Sequence, residues 1–114
     1  MKIDFSQSIR QLDGTPMIVM NPDGSIASDF STLAKISVHA LNLLMPGDEN
    51  VAPTKKFERG LLAIKIYEAT EPVDMASAEQ VSDLKSLIGR SFGSLIIARA
   101  FDIIENHPLK TEAE

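Results

Sequence analysis

Near residue 29 the apolar residues of this 114-residue chain switch from a period of two to a period of three and four. A strand places alternate residues on one face and a helix places every third or fourth residue there, so the chain must join a small β unit to a set of helices. Before the switch, Ile3 and Phe5 alternate with Lys2, Asp4 and Ser6. Asp13-Gly14-Thr15-Pro16 is a turn signal that leads into the short apolar run Met17-Ile18-Val19-Met20. Asn21-Pro22-Asp23-Gly24 is a second turn, because proline presets φ and glycine accepts positive φ. Residues 25 to 27 read as a returning strand. The segment is a small hairpin or a three-stranded meander, a unit of marginal stability in water that must lean on the helices.

After the switch, Leu33, Ile36, Ala40, Leu41 and Leu44 share one helical face, with Asp29, Ser31 and Thr32 as candidate N-caps and Pro46-Gly47 as a stop. A polar loop separates this helix from a second, running from 53 or 54 to 68. Phe57, Leu61 and Ile64 form its expected inward stripe, widened by Ala63, Ile66 and Tyr67. Glu71-Pro72 breaks that helix. Val73 and Met75 then flank Asp74 in a fragment that is either a strand paired with the N-terminal unit or plain loop. Ser77 and Gln80 stand at capping-box spacing ahead of a third helix with Val81, Leu84, Leu87 and Ile88 inward and Gly89 as its C-cap. Ser91 opens a fourth helix, in which Phe92, Leu95, Ile96, Ile97, Ala100, Phe101, Ile103 and Ile104 cover most of the circumference. A helix apolar on most sides belongs at the centre of a bundle or in an oligomer interface. It stops at Asn106-His107-Pro108. The expected fold is therefore mainly α (α+β), a small N-terminal β-hairpin or meander packed on a compact bundle of about four helices. One domain covers residues 1 to 108, β-rich over 1 to 28 and helical over 29 to 106, and residues 109 to 114 form a flexible acidic tail.

Composition narrows the chemistry. Eleven basic against sixteen acidic residues leave a net charge of −5, which argues against a general nucleic-acid binder. No apolar run approaches the roughly 20 residues of a membrane span, and the N-terminus has no secretory hydrophobic core. The absence of cysteine excludes thiolate zinc sites, disulfides and thiol catalysis together. His39 and His107 are the two histidines. Neither has a neighbouring nucleophile, so His39 reads as a boundary residue and His107 as a complement to the negative end of the last helix. A small hydrolase built on His39 and nearby carboxylates is the least favoured activity.

Residues 21 to 26 contain the glycine-x-isoleucine step of a calcium loop. Aligned on Gly24, however, the first and last ligand positions fall on Val19 and Phe30, which have no side-chain oxygen. Glu79 with Asp83 and Asp102 with Glu105 read as solvated acidic pairs. Gly89 and Gly93 match no phosphate-cradling motif. The third and fourth helices are joined by a short turn, but the fourth exposes too little polar surface to read bases. No catalytic, cofactor-binding or metal site is expected, nor a small-molecule substrate. Lys55, Lys56 and Arg59 stand apart. Residues 51 to 70 hold four basic and two acidic side chains, and Lys55 and Lys56 occupy a first helical turn, where the dipole disfavours cations. They are the candidate partner-binding residues, for an acidic protein surface or a nucleic-acid backbone, against the simpler reading of pairing with Asp48, Glu49 and Glu58.

The stretches Lys2-Ile3-Asp4-Phe5, Leu12-Asp13-Gly14-Thr15-Pro16, Leu62-Ala63-Ile64-Lys65-Ile66-Tyr67, Ser77-Ala78-Glu79 and Leu84-Lys85-Ser86-Leu87-Ile88-Gly89 together give a chain that resembles small accessory proteins of tailed bacteriophages and prophages. The resemblance spans most of the length and transfers no functional residue. It implies a bacterial cytoplasm and a role in virion or tail assembly. The expectation is a non-enzymatic interaction or assembly protein that presents a helical surface to itself or to a protein partner. The alternative is a nucleic-acid accessory protein using the basic patch.

Overall fold

The computed structural model describes residues 2 to 43 and 45 to 106. The expectations for Leu44, for His107 and for the tail lie outside the described residues. Elements run β1 (Lys2–Ile3), β2 (Ile18–Met20), β3 (Ile26–Asp29), α1 (Leu33–Asn42), α2 (Pro53–Glu68), β4 (Val73–Asp74), α3 (Ala78–Ser91) and α4 (Ser94–Asn106), with a 3-10 turn at Asp48–Asn50. The fold is thus α+β, four helices with a small β part at the N-terminal end.

The strands form two separate antiparallel pairs rather than a meander. β2 pairs with β3 as a hairpin, Ile18 opposite Asp29 and Val19 opposite Ser28, with an irregularity before Met20. Gly24 closes that hairpin at φ 91°, a left-handed conformation that glycine adopts without strain. β1 instead pairs with β4, Lys2 opposite Asp74 and Ile3 opposite Val73. Of the two readings of residues 73 to 75, the strand is the one found. Ile3, Val73 and Met75 are all buried, so this short ladder is held from below by the core.

The chain between β1 and β2 serves the first helix. The amides of Leu33 and Ala34 have no partner inside α1, and they donate to the carbonyls of Gln7 and Phe5 at 3.0 and 2.8 Å. Thr32 is the N-cap, its hydroxyl accepting from the Lys35 amide at 3.3 Å. These bonds carry Phe5 and Ile9 into the core beside Leu33 and Ile36. α1 ends at Asn42, short of the expected Pro46-Gly47 stop. Leu43 takes an extended conformation, and its amide donates back to His39.

α3 starts at the expected capping box. The Ser77 hydroxyl accepts from the Gln80 amide at 3.1 Å, and the Gln80 side chain reaches back to the Ala76 amide at 2.7 Å, one residue before the cap. Its end differs from expectation. Gly89 lies inside α3, not beyond it, and Ser91 is the last residue of α3 rather than the start of α4. The Ser91 hydroxyl donates to the Leu87 carbonyl at 2.7 Å, satisfying a group of the final turn. A Cβ at Gly89 would sit 4.0 Å from the Phe101 ring, an ordinary contact, so the packing of α4 does not require glycine there.

One core joins every layer: Ile3, Phe5 and Ile9 from the N-terminal segment, Leu33, Ile36 and Ala40 from α1, Leu62, Ala63 and Ile66 from α2, Leu84, Leu87 and Ile88 from α3, and Ala100 and Ile104 from α4. Ile96, Phe101 and Ile103 of α4 pack half-buried against it. The face of α4 that its composition assigned to contacts is therefore largely absorbed within the fold. Among the described residues no helix is long and apolar enough to cross a membrane.

Candidate functional site

The first two turns of α2 carry the basic trio, and the structure divides it. Arg59 and Lys55 are four residues apart and face α3. Arg59 Nε and Nη2 each donate to one carboxylate oxygen of Asp83 at 3.1 Å, a bidentate pair with the arginine side chain only 15% exposed. Lys55 Nζ lies 4.0 Å from the same carboxylate. The hydrogen-bonded partner of Arg59 is Asp83 of α3, while Asp48, one of the expected partners, lies within electrostatic reach of Arg59; Asp83 is correspondingly half-buried instead of a member of a solvated pair. Lys56 lines a small recess with Asn42, Asp48, Arg59 and Gly60. The depression between α2 and α3, about 510 Å³, is lined by Lys55, Glu58, Arg59, Glu79, Gln80 and Asp83, whose charges nearly cancel. A cleft so balanced offers no net field to a phosphate backbone.

A second charged constellation has no counterpart in the sequence reading. Asp48, buried at the start of the 3-10 turn, accepts from Arg90 Nη1 at 2.7 Å and Nη2 at 3.0 Å, and from the Met45 amide at 2.8 Å. Arg90 Nη2 also donates to the Leu43 carbonyl at 3.3 Å, at the C-terminal end of α1, where a cation is favoured. The Arg90 guanidinium, then the Met45 amide, hold the Asp48 carboxyl down at about 2. This group closes the α1–α2 connection onto α3; its ligands are all satisfied, and it is structural.

His39 is exposed on α1 and lies against two rings, 5.2 Å from Phe30 and 5.4 Å from Phe92, which themselves meet edge to face at 4.9 Å. The imidazole thus edges an aromatic cluster that joins the end of β3 to the α3–α4 turn. No group of three or more His, Cys, Asp or Glu side chains able to hold a metal ion occurs among the described residues.

The inward face of α2 is only part of the expected one: Ala63 and Ile66 are buried as expected, Leu62 joins them, and the rest of the expected stripe faces out. Phe57, Leu61, Ile64 and Tyr67, expected inward, are 66%, 50%, 56% and 80% exposed. At 3.6 residues per turn the two sets lie on roughly opposite sides of the helix. α2 carries two apolar stripes, and only one can face α1 and α3. The buried side is the one that also carries Arg59, which pairs with Asp83. Beside the exposed stripe runs a shallow groove of about 400 Å³ between α1 and α2, lined by Val38, Asn42, Gly60, Ala63, Ile64 and Tyr67. The presence of two stripes, visible in the sequence, was the available signal; which one is inward is a tertiary matter. The hairpin adds a smaller exposed apolar patch, Val19, Met20 and Ile26.

Comparison with known protein families, with curated proteins and with solved structures finds no match for this chain.

Proposed function

We propose that this chain is a non-enzymatic interaction protein that works by presenting a helical surface to another protein chain. The observation that carries the reading is the uncovered stripe Phe57, Leu61, Ile64 and Tyr67 on α2. Scattered apolar side chains on a surface are ordinary, but a continuous row along one helix face, next to a groove, is what helix-mediated recognition uses. The polar clusters point the same way. Arg59 and Lys55 are engaged by Asp83, and Asp48 is engaged by Arg90, so each is committed to holding helices together. This leaves the nucleic-acid alternative with Lys56 as the member of its trio that does not pair with Asp83. Resemblance to small accessory proteins of tailed phages makes virion or tail assembly the natural setting for such a module.

Leu61→Asp places a charge in the middle of the stripe without touching the core, so it should fold normally. The reading predicts that the wild-type chain associates, with itself or with a captured protein, and that the Leu61→Asp chain does not. A wild-type chain that stays monomeric and captures the same proteins as Leu61→Asp overturns it.

A further inference from the structure

Resting on the interaction reading above, we propose that the occupant of the α2 stripe is a second copy of this chain, bound through α2 alone in an antiparallel, two-fold symmetric pairing. The spacing Phe57, Leu61, Ile64, Glu68 is the three-four step of a helix-pairing seam. In an antiparallel pair, one register brings every feature of this face to use. It sets Leu61 against the second copy's Ile64, twice by symmetry, at the centre. Phe57 then packs between the second copy's Ile64 and the methylenes of its Glu68.

The flanks select this register. On one side Glu58 comes beside the second copy's Lys65, again twice. Both residues are exposed, and Lys65 Nζ, which donates to the Asp74 carbonyl at 3.2 Å, has further protons to give. On the other side Gly60 comes beside the second copy's Tyr67. A side chain built at Gly60 meets nothing within 4 Å, so this is open space on the groove edge, where a tyrosine ring of the other copy fits. Sliding the helices by one heptad sets Glu58 against Glu58 in one direction and Lys65 against Lys65 in the other, so either shift replaces two attractive pairs with a like-charge one. Along the flanks of the stripe Lys56 and Lys65 stand against Glu58 and Glu68, two of each sign, and Asp83 offsets one of the two charges on Lys55 and Arg59.

The area suits a weak, reversible dimer. Two aromatic and two aliphatic side chains per copy, at least half exposed, place at most about 1,000 Å² in the interface, the size of a transient pair rather than a permanent one.

The chain has no cysteine, which makes thiol cross-linking a clean test. Residues 60 and 67 of one helix are about 10 Å apart, beyond the reach of a disulfide, so any bond formed is between copies. Under mild oxidation Gly60→Cys and Tyr67→Cys should each stay largely uncross-linked alone and give a covalent dimer when mixed. Cross-linking of Gly60→Cys by itself overturns the register, since it marks a parallel or shifted pairing. Sedimentation equilibrium supplies the second arm. The wild-type chain should show a monomer–dimer equilibrium, weakened about threefold to tenfold by Glu58→Lys or by Lys65→Glu and restored when both are present in one chain. A wild-type chain monomeric up to millimolar concentration overturns the dimer. In that case, capture of a different protein that is lost in Leu61→Asp would leave the broader interaction reading standing, and capture insensitive to Leu61→Asp would end both.

Discussion

Arg90 and Asp48, 42 residues apart in sequence, form a two-pronged ion pair that ties the last turn of α3 to the turn ahead of α2. The same guanidinium holds the final carbonyl of the α1 region at Leu43. Three helices are therefore fastened through one side chain, and the fastening depends on Asp48 being charged.

Stability should accordingly fall in acid. The folded-state pKa of Asp48 is about 2, depressed below its ordinary 3.8 by Arg90 and the Met45 amide. A depressed carboxylate contributes stability that is complete above the unfolded value and lost as pH falls through the folded one. Asp29, held at about 2 by Lys35 and Ser31, behaves the same way. The urea midpoint should be level above about pH 4 and drop between about pH 4 and pH 2. In Asp48→Asn the midpoint is lower at neutral pH and the acid drop is smaller, leaving the shares of Asp29 and of Asp13 and Asp23, which Thr15 and Ser25 also hold below the ordinary value. An identical acid drop in both chains would show that Asp48 is not its source.

Ser37 sits fully buried on α1 between Ile36 and Val38, and its hydroxyl has no hydrogen-bond partner. A buried hydroxyl without a partner has lost its water and gained nothing. Ser37→Ala removes that penalty and adds a better helix former, so it should stabilise the protein by about 1 kcal/mol. Urea or thermal unfolding of the two chains measures it; a destabilised alanine variant would mean the hydroxyl has a partner in solution.

The elements themselves were largely legible, because each is written locally. Thr32 and Ser77 mark helix starts by their own side chains, Pro53 opens α2 at a position that needs no amide donor, and Gly24 closes the hairpin. What could not be read is where an element's choice is made by a distant one. β1 and β4 pair across 70 residues, and the local pattern at 73 to 75 left that pairing open against plain loop. Arg59 finds Asp83 and Arg90 finds Asp48 only after the helices dock, so the basic trio looked like a surface patch when two of its members are interhelical contacts. The exposed stripe was misassigned for the same reason: helical periodicity identifies a face, and α2 has two.

The Arg59–Asp83 pair joins α2 to α3 with both side chains mostly shielded from water, so it should couple measurably. A double-mutant cycle with Arg59→Ala and Asp83→Ala is expected to give an interaction of about 1 kcal/mol, above that of exposed pairs. Lys56→Ala should change stability by less than about 0.5 kcal/mol, as for a surface residue outside any network. A near-zero coupling energy would return Arg59 to the status of a solvated side chain and remove the pair as a contact that holds α2 to α3.

The orientation of α2 also makes opposite demands on residues of similar character. Ile66 is 2% exposed and Leu62 6%, packed with Ala63 against the core, whereas Phe57 is mostly in water. Truncating a buried isoleucine or leucine removes its transfer free energy and leaves a cavity, so Ile66→Ala and Leu62→Ala should each cost about 2–5 kcal/mol. Phe57→Ala, although it deletes a larger side chain, empties no space inside one chain and should cost less than about 0.5 kcal/mol when measured at dilutions where the protein is monomeric. Raising the protein concentration should then separate wild type from Phe57→Ala, because mass action adds stability only to the chain whose α2 face still finds a copy of itself. If Phe57→Ala is as damaging as Ile66→Ala under dilute conditions, the helix is rotated about its axis from the orientation described, the stripe is core, and the surface on which the proposed pairing rests does not exist.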